Sequence, residues 1–266
     1  MIKRFLIERK ERLFRNKKAE TCEFQGFDPA NFHPSFLIIT ITFSNNNVVR
    51  NQVQLMDKYI EDKFTHLILD NSDIEAESKK IKETAAKFNR PYIRLTGNPH
   101  GRGSNSHGLA LNWAYQQLVL RFRPAYFGFL DHDIYPVKTE KIIPMLDQQS
   151  IFGHLQERKP YWYLWPGLCF FKMTELFSAS SNLAAGQIES INLDTGGMLY
   201  KSVYSKLNFK DIFFPPQHYE RLREGNLTQS DQVEYIGNWI HSFNGSYWIK
   251  IKDKENELQN LINKYL

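Results

Sequence analysis

The sequence predicts an α/β fold with a mostly parallel central sheet and helices on both of its faces. Three observations carry that expectation. Short apolar runs rich in β-branched and aromatic residues recur at residues 35–43, 64–69 and 126–130, which is how strands buried on both faces read. Segments with helical spacing of apolar residues separate them, giving the order β-α-β-α-β-α-β. The two later runs end abruptly in acid, at Asp70-Asn-Ser-Asp73 and Asp131-His-Asp133. In an open α/β sheet, strand tips border the crevice where ligands bind.

The chain has 266 residues, 42% of them hydrophobic and 14% aromatic, which suits a globular protein with a substantial core and not a disordered one. Its first segment, residues 1–34, is a basic arm and connector. Residues 1–18 hold eight Lys or Arg against Glu8 and Glu11, a net +6 that leaves −1 for the rest of a chain whose total is +5. The near-neutral body argues against a nucleic-acid partner. Ile2, Phe5, Leu6, Leu13 and Phe14 give the arm apolar contacts for an anionic membrane surface, against the alternative of a solvated leader helix. No apolar run approaches the ~20 residues of a membrane span, and charges at positions 8–11 leave no signal-peptide core. The expected location is the cytoplasm, peripheral on the inner face of a membrane. Cys22 and Cys169 sit in unrelated contexts and are expected to be reduced and structural.

Residues 35–137 hold the alternating strands and helices of this sheet. A first strand at 35–43 meets Ser44-Asn-Asn-Asn47, which caps a helix with the stripe Val49, Val53, Met56 and Ile60. After the strand at 64–69, Ser72 or Asp73 is expected to cap a charged helix over 74–89. A third strand at 91–95 opens into Thr96-Gly-Asn-Pro-His-Gly-Arg-Gly103, where glycines allow close approach of a ligand or simply a flexible turn. One long helix is expected over 104–121, then the strand that delivers Asp131 and Asp133. Two hard oxygen donors at i and i+2 suit a divalent cation open to phosphates; a solvated turn at a sheet edge is the alternative.

The second half, residues 138–252, has a different texture, dense in aromatics and then polar. Trp162 and Trp165 are its candidate stacking platforms for a sugar ring or a nucleobase, although most of the aromatics at 161–171 should be core. Residues 198–200 read as a short strand and 218–232, with Arg221 and Arg223, as a mobile polar lid. A last helix, 253–266, carries the stripe Leu258, Leu261, Ile262 and Tyr265 behind an Asp253 cap.

On four stretches the chain resembles nucleotide-sugar-dependent glycosyltransferases of the GT-A fold, most closely family 2. They are residues 37–46, Leu67-Ile-Leu-Asp70-Asn-Ser72-Asp73, residues 98–112, and Phe129-Leu-Asp131-His-Asp133, the last matching the Asp-x-Asp motif. The likeness covers residues 35–137 well and the remainder loosely. It implies a single Rossmann-like GT-A domain with an aromatic-rich C-terminal acceptor half. It also implies donor contacts at Thr42, Asn45, Asp70, Asp73 and Asp131, and a metal set of Asp131, Asp133 and His241, for which Mn²⁺ suits the imidazole better than Mg²⁺. Arg102, Arg221 and Arg223 are candidates to close on the donor diphosphate. The acidic turn lacks the family's glycine, and its usual base is missing; Asp194 is the best substitute, with Asp231 and Glu157 behind it. The implied activity is metal-dependent transfer of a hexosyl or N-acetylhexosaminyl group, with inversion, as in polysaccharide biosynthesis. A UDP-sugar is the favoured donor, and a glycan, lipid-linked or protein group the acceptor. A nucleotidyltransferase on a similar core and a non-catalytic sugar- or nucleotide-binding module are the alternatives.

Overall fold

A computed structural model describes residues 2–101, 103–222, 231–243 and 254–266. The chain opens with helix α1 (Ile2–Arg15) and a short strand β1 (Glu23–Gln25). The predicted alternation follows: β2 (Phe36–Thr42), α2 (Asn46–Tyr59), β3 (Thr65–Asp70), α3 (Glu75–Lys87), β4 (Tyr92–Arg94), α4 (Ser104–Ala114) and β5 (Tyr126–Asp131). The neighbours β4-β3, β3-β2 and β2-β5 pair parallel. After β5 come β6 (Ile134–Pro136), α6 (Ile142–Gln149, numbered after the single turn α5, Leu120–Phe122), β7 (Ile151–Arg158) and β8 (Tyr161–Lys172). Strands β1, β8 and β7 add antiparallel, giving one seven-stranded sheet in the order β1-β4-β3-β2-β5-β8-β7. The sheet therefore draws a strand from the basic arm and two from the second half of the chain.

Alternation along the strands sends side chains to two cores, with a period of two. Leu37, Ile39, Ile41, Leu67, Leu69, Phe127 and Phe129 pack with α4 and with Phe14 of α1. Phe36, Ile38 and Leu130 pack with Met56 of α2 on the other face, and Ile68 with Val49, Val53 and Ile81 of α2 and α3. Helices thus cover both faces. Cys22 and Cys169 are buried free thiols.

Several local expectations change for identifiable reasons. Asn45 caps α2, its Oδ1 accepting from Val48 N. The expected cap of α3 is drawn elsewhere, because Ser72 donates through both its N and its Oγ to Asp70 Oδ1. Helix α3 starts instead after Ile74 with no side-chain cap, and Glu75 and Glu77 in its first turn complement the helix dipole. The long helix expected over 104–121 is α4 followed by a π-helical turn (Tyr115–Val119) and α5, after which Arg123 turns left-handed. No strand forms at 198–200. Gly196 has φ +88°, and a Cβ there would lie 2.8 Å from Leu164 O, so the chain turns sharply into a 3-10 helix (Gly197–Lys201) behind the small hairpin β9 (Gly186–Ile188) and β10 (Ile191–Leu193).

A second, four-stranded antiparallel sheet sits at the C-terminal end of β5. It runs β11 (Gln217–Arg221), β12 (Gln232–Ile236), β13 (Trp239–His241) and β6. The stretch expected as a lid is therefore strand at Gln217–Arg221 and again from Gln232; residues 223–230, with Arg223, lie outside the described residues. The last helix, α7 (Lys254–Asn263), buries Leu258 and Ile262 and meets α2 through Asn47–Glu255 and Asn51–Gln259 hydrogen bonds. Its expected Asp253 cap lies outside the described residues.

Candidate functional site

The parallel strands in chain order are β2, β3, β4 and β5, yet in space they lie β4-β3-β2-β5. The chain thus winds outward in one direction and then, across β2, in the other. The crevice between the tips of β2 and β5 is the switch point where such sheets bind ligands. Ile41 pairs with Asp131, Thr42 with Asp70, and Asp70 with Arg94, so one row of strand ends carries the charged groups.

The Asp-His-Asp turn is braced from beneath. Gln52 of α2, fully buried, donates through Nε2 to Asp131 O (2.7 Å) and Ile134 O (2.8 Å), while Thr40 Oγ1 donates to its Oε1. His132 tucks under the end of β2, its Nδ1 accepting from Phe43 N, and burial lowers its pKa, which keeps it neutral. Thr42 is buried there, with its Oγ1 3.4 Å from His132 Nδ1.

Asp131 faces a residue that the sequence did not single out. His107, on the first turn of α4, brings Nε2 to 3.0 Å from Asp131 Oδ1. Burial opposes a charge on this imidazole, but the carboxylates of Asp131, Asp194 and Asp133 outweigh it and raise its pKa. Burial likewise acts to raise Asp131, and the neighbouring His107 more than reverses it, so Asp131 is lowered.

Asp133 and His241 are brought together by the second sheet. Strand β6 begins at the residue after Asp133 and pairs with β13, setting His241 opposite Ile134, and Ser242 donates through N and Oγ to Asp133 O. His241 Nε2 comes to 3.9 Å from Asp133 Oδ1. Its Nδ1 lies 3.1 Å from Glu234 Oε2. Burial raises Glu234, and the His241 hydrogen bond with the His154 and His241 charges lowers it further than that, leaving it ionised. Trp165 packs on this corner, 4.7 Å from the His241 ring and 5.5 Å from His154.

A cavity of about 260 Å³ opens past the tips of β3 and β4, lined by Asn71, Ser72, Asp73, Arg94, Thr96 and Asn98, among others. Asn98 Nδ2 donates to Asn71 Oδ1 and Ser106 O, tying three segments into one polar wall. The glycines expected to permit close approach, Gly97 and Gly101, have positive φ and open space where a Cβ would stand.

The remaining candidates fall in distinct places. Asp70 is fully buried and turned inward, accepting from Ser72 and from Tyr92 Oη, so the three residues after it line the cavity instead. Asp73 is exposed at the cavity and accepts from Ser44 Oγ. Asn45 serves as the α2 cap. Asp194 is exposed; its N donates to Tyr163 Oη and its Oδ1 accepts from Thr195 N. Asp231 opens β12, where its carbonyl accepts from Leu222 N, and Arg221 pairs with Gln232 at the exposed end of β11. Trp162 belongs to the core: it is 8% exposed and ringed by Tyr204, Phe209 and Phe214, which removes it as a stacking platform. Arg102 lies outside the described residues.

For a divalent cation, Asp133 and His241 offer one oxygen and one nitrogen donor 3.9 Å apart, with Glu234 at the other ring nitrogen of His241. Among the described residues no group of three His, Cys, Asp or Glu converges to hold a metal ion. The expected set of Asp131, Asp133 and His241 therefore does not come together as one group, and Asp131 is paired with His107 instead.

No family model matches the chain, and no curated protein matches it. Among solved structures it is similar to S. aureus TarS, at 16% identity and a TM-score of 0.34, over 45% of this chain and 21% of that one. It is also similar to the mannosyltransferase PcManGT from Pyrobaculum calidifontis, solved with GDP-Man and Mn²⁺, at 13% identity and a TM-score of 0.36, over 63% of this chain and 51% of that one. The chain thus spans about a fifth of the first and about half of the second. At such scores its class is defined by its own strand order: an open α/β sheet with a charged crevice at the switch point.

Proposed function

We propose that the chain is a nucleotide-sugar-dependent glycosyltransferase of the GT-A type, similar to family 2. The observation that carries this reading is the approach of His241 Nε2 to within 3.9 Å of Asp133 Oδ1 past the end of β5, on a sheet whose β3 and β4 tips line a polar cavity. Asp133 and His241 hold the cation, Mn²⁺ in preference to Mg²⁺. When bound, it offsets the charge developing on the departing nucleoside diphosphate. Asn71, Ser72, Asp73 and Arg94 receive the base and ribose of the donor, a UDP-sugar in the favoured case, with Asp70 bracing their turn.

Asp131 and His107 sit where the diphosphate and sugar meet, the imidazole lending positive charge. Asp194, exposed and close enough for its charge to raise the His107 pKa, takes the proton of the acceptor hydroxyl as it attacks the anomeric carbon. One carboxylate acting as base accords with transfer of a hexosyl or N-acetylhexosaminyl group with inversion. Trp165, partly exposed against His241, is the candidate ring for the acceptor glycan.

A lipid-linked acceptor, as in polysaccharide biosynthesis on the cytoplasmic face of a membrane, agrees with α1. Its Phe14 is buried, whereas Phe5, Leu6 and Leu13 are exposed among Arg9, Lys10 and Arg12, an outer face suited to anionic lipid. No helix among the described residues is long and apolar enough to cross a membrane. The test of the enzymatic reading is thermal stabilisation by UDP and by GDP, each with Mn²⁺ or with chelator. Metal-dependent stabilisation by one of them is expected; none by either removes the transferase reading.

A further inference from the structure

We infer that Glu234 is the positioning residue of the cation corner: its carboxylate holds His241 in the Nδ1–H tautomer and aims Nε2 at Asp133. This deepens the proposed function and rests on its reading of Asp133 and His241 as cation ligands.

The argument begins with strand register. Across the small sheet, Tyr219 pairs with Glu234, Glu234 with His241, and His241 with Ile134. Residues directly opposite one another in neighbouring strands project to the same face, so Tyr219, Glu234 and His241 form one row of side chains. That row ends beside Asp133, the residue before Ile134.

The contacts run in the same order. Tyr219 Oη donates to Glu234 Oε1 at 3.0 Å, Glu234 Oε2 accepts from His241 Nδ1 at 3.1 Å, and His241 Nε2 stands 3.9 Å from Asp133 Oδ1. His154 Nε2 lies 3.4 Å from the other side of the carboxylate. Glu234 is only 2% exposed, and a carboxylate so buried is costly unless it is paired and hydrogen-bonded. A neutral side chain would fill the same space without that cost.

What an apolar side chain cannot do is favour one imidazole tautomer. A histidine in water prefers its proton on Nε2, the nitrogen that here faces Asp133. A carboxylate on Nδ1–H reverses that preference, frees the Nε2 lone pair, fixes the ring plane and increases ligand basicity. The tilted contact with Trp165 holds the ring from another side. A short strand swap in register would break all of these contacts at once.

The experiment uses the full chain, metal-free, with two-bond ¹H–¹⁵N spectra that report which His241 nitrogen is protonated, assigned by the loss of its signals in His241→Gln. The wild type is expected to show Nδ1–H and a bare Nε2, and Glu234→Ala to move the proton to Nε2. Mn²⁺ alone is then titrated and followed by electron paramagnetic resonance; Glu234→Ala should weaken it about 10–100-fold. Glu234→Gln keeps the shape and a neutral acceptor, so it serves if the alanine variant fails to fold, with weakening of about tenfold expected. A wild type with the proton on Nε2, or a folded Glu234→Gln with unaltered Mn²⁺ affinity, overturns the inference. A wild type that shows Nδ1–H but binds no Mn²⁺ sinks the cation reading instead and leaves the role of Glu234 in orienting the ring intact.

Discussion

His107 Nε2 lies 3.0 Å from Asp131 Oδ1, joining the start of α4 to the tip of β5 across the mouth of the crevice. The pair has a pH signature. The folded pKa of His107 is raised by Asp131, so its contribution to stability is complete below the unfolded value of about 6.5 and fades as pH rises through the folded value. Asp131 is lowered, so its contribution is present above its unfolded value of about 3.9 and is lost as pH falls through the folded one. His107→Ala should therefore destabilise the protein by about 1 kcal/mol near pH 5.5 and by less at pH 8.5. Urea melts of both proteins at the two pH values check this, and an equal difference at both would refute it.

Asp133→Asn should abolish sugar transfer while leaving the urea midpoint close to that of the wild type, since the backbone bonds from Ser242 to Asp133 O survive the change. Steady-state rates and a melt on one preparation separate the two effects. Normal turnover in the folded variant removes the cation role of Asp133.

Asp194→Asn should lower kcat by about 10²–10⁴-fold and leave donor affinity unchanged. Parallel loss of donor binding, measured by calorimetry with the nucleoside diphosphate, would make Asp194 a binding residue.

Gln52→Leu removes the donor shared by Asp131 O and Ile134 O. Each buried carbonyl left without a partner costs about 1–3 kcal/mol. The variant should lose stability on that scale and also lose activity, because the turn bearing both aspartates is no longer braced. Loss of stability with full activity would show that the turn keeps its shape unaided.

Phe5→Glu combined with Leu13→Glu should abolish sedimentation with vesicles of anionic lipid and leave the melting temperature unchanged, since both side chains are exposed at 66% and 62%. Wild-type binding that is equal on neutral and anionic vesicles, or absent from both, removes the membrane contact.

The parallel half was legible because each strand is a block of apolar residues that stops in charge: Thr65–Asp70 and Tyr126–Asp131 carry both the fold and the approximate site in one pattern. The cavity was less so, since Asn71 follows β3 while Arg94 ends β4 and Asn98 lies in the loop after it, and only the pairing of β3 with β4 brings them together. His107 has no signature as a lone histidine in a helix, although it lay within the stretch at 98–112 already singled out. Glu234 is invisible for a sharper reason. Its meaning depends on pairing with His241 and Tyr219, and the one local clue is the Gly237-Asn238 turn that closes the β12–β13 hairpin. Asp70 misled because an acid at a strand tip reads the same whether it faces the ligand or, as here, ties Ser72 and Tyr92 together.

Ser242, which anchors the strand carrying the imidazole, follows Asp133 by 109 positions. At roughly 5–20 residues per second, a ribosome delivers the carboxylate about 5–20 s before its partner. During that interval the nascent chain holds the residues of the polar cavity but not its corner, so a truncated or stalled product would carry Asp133 without the imidazole that approaches it.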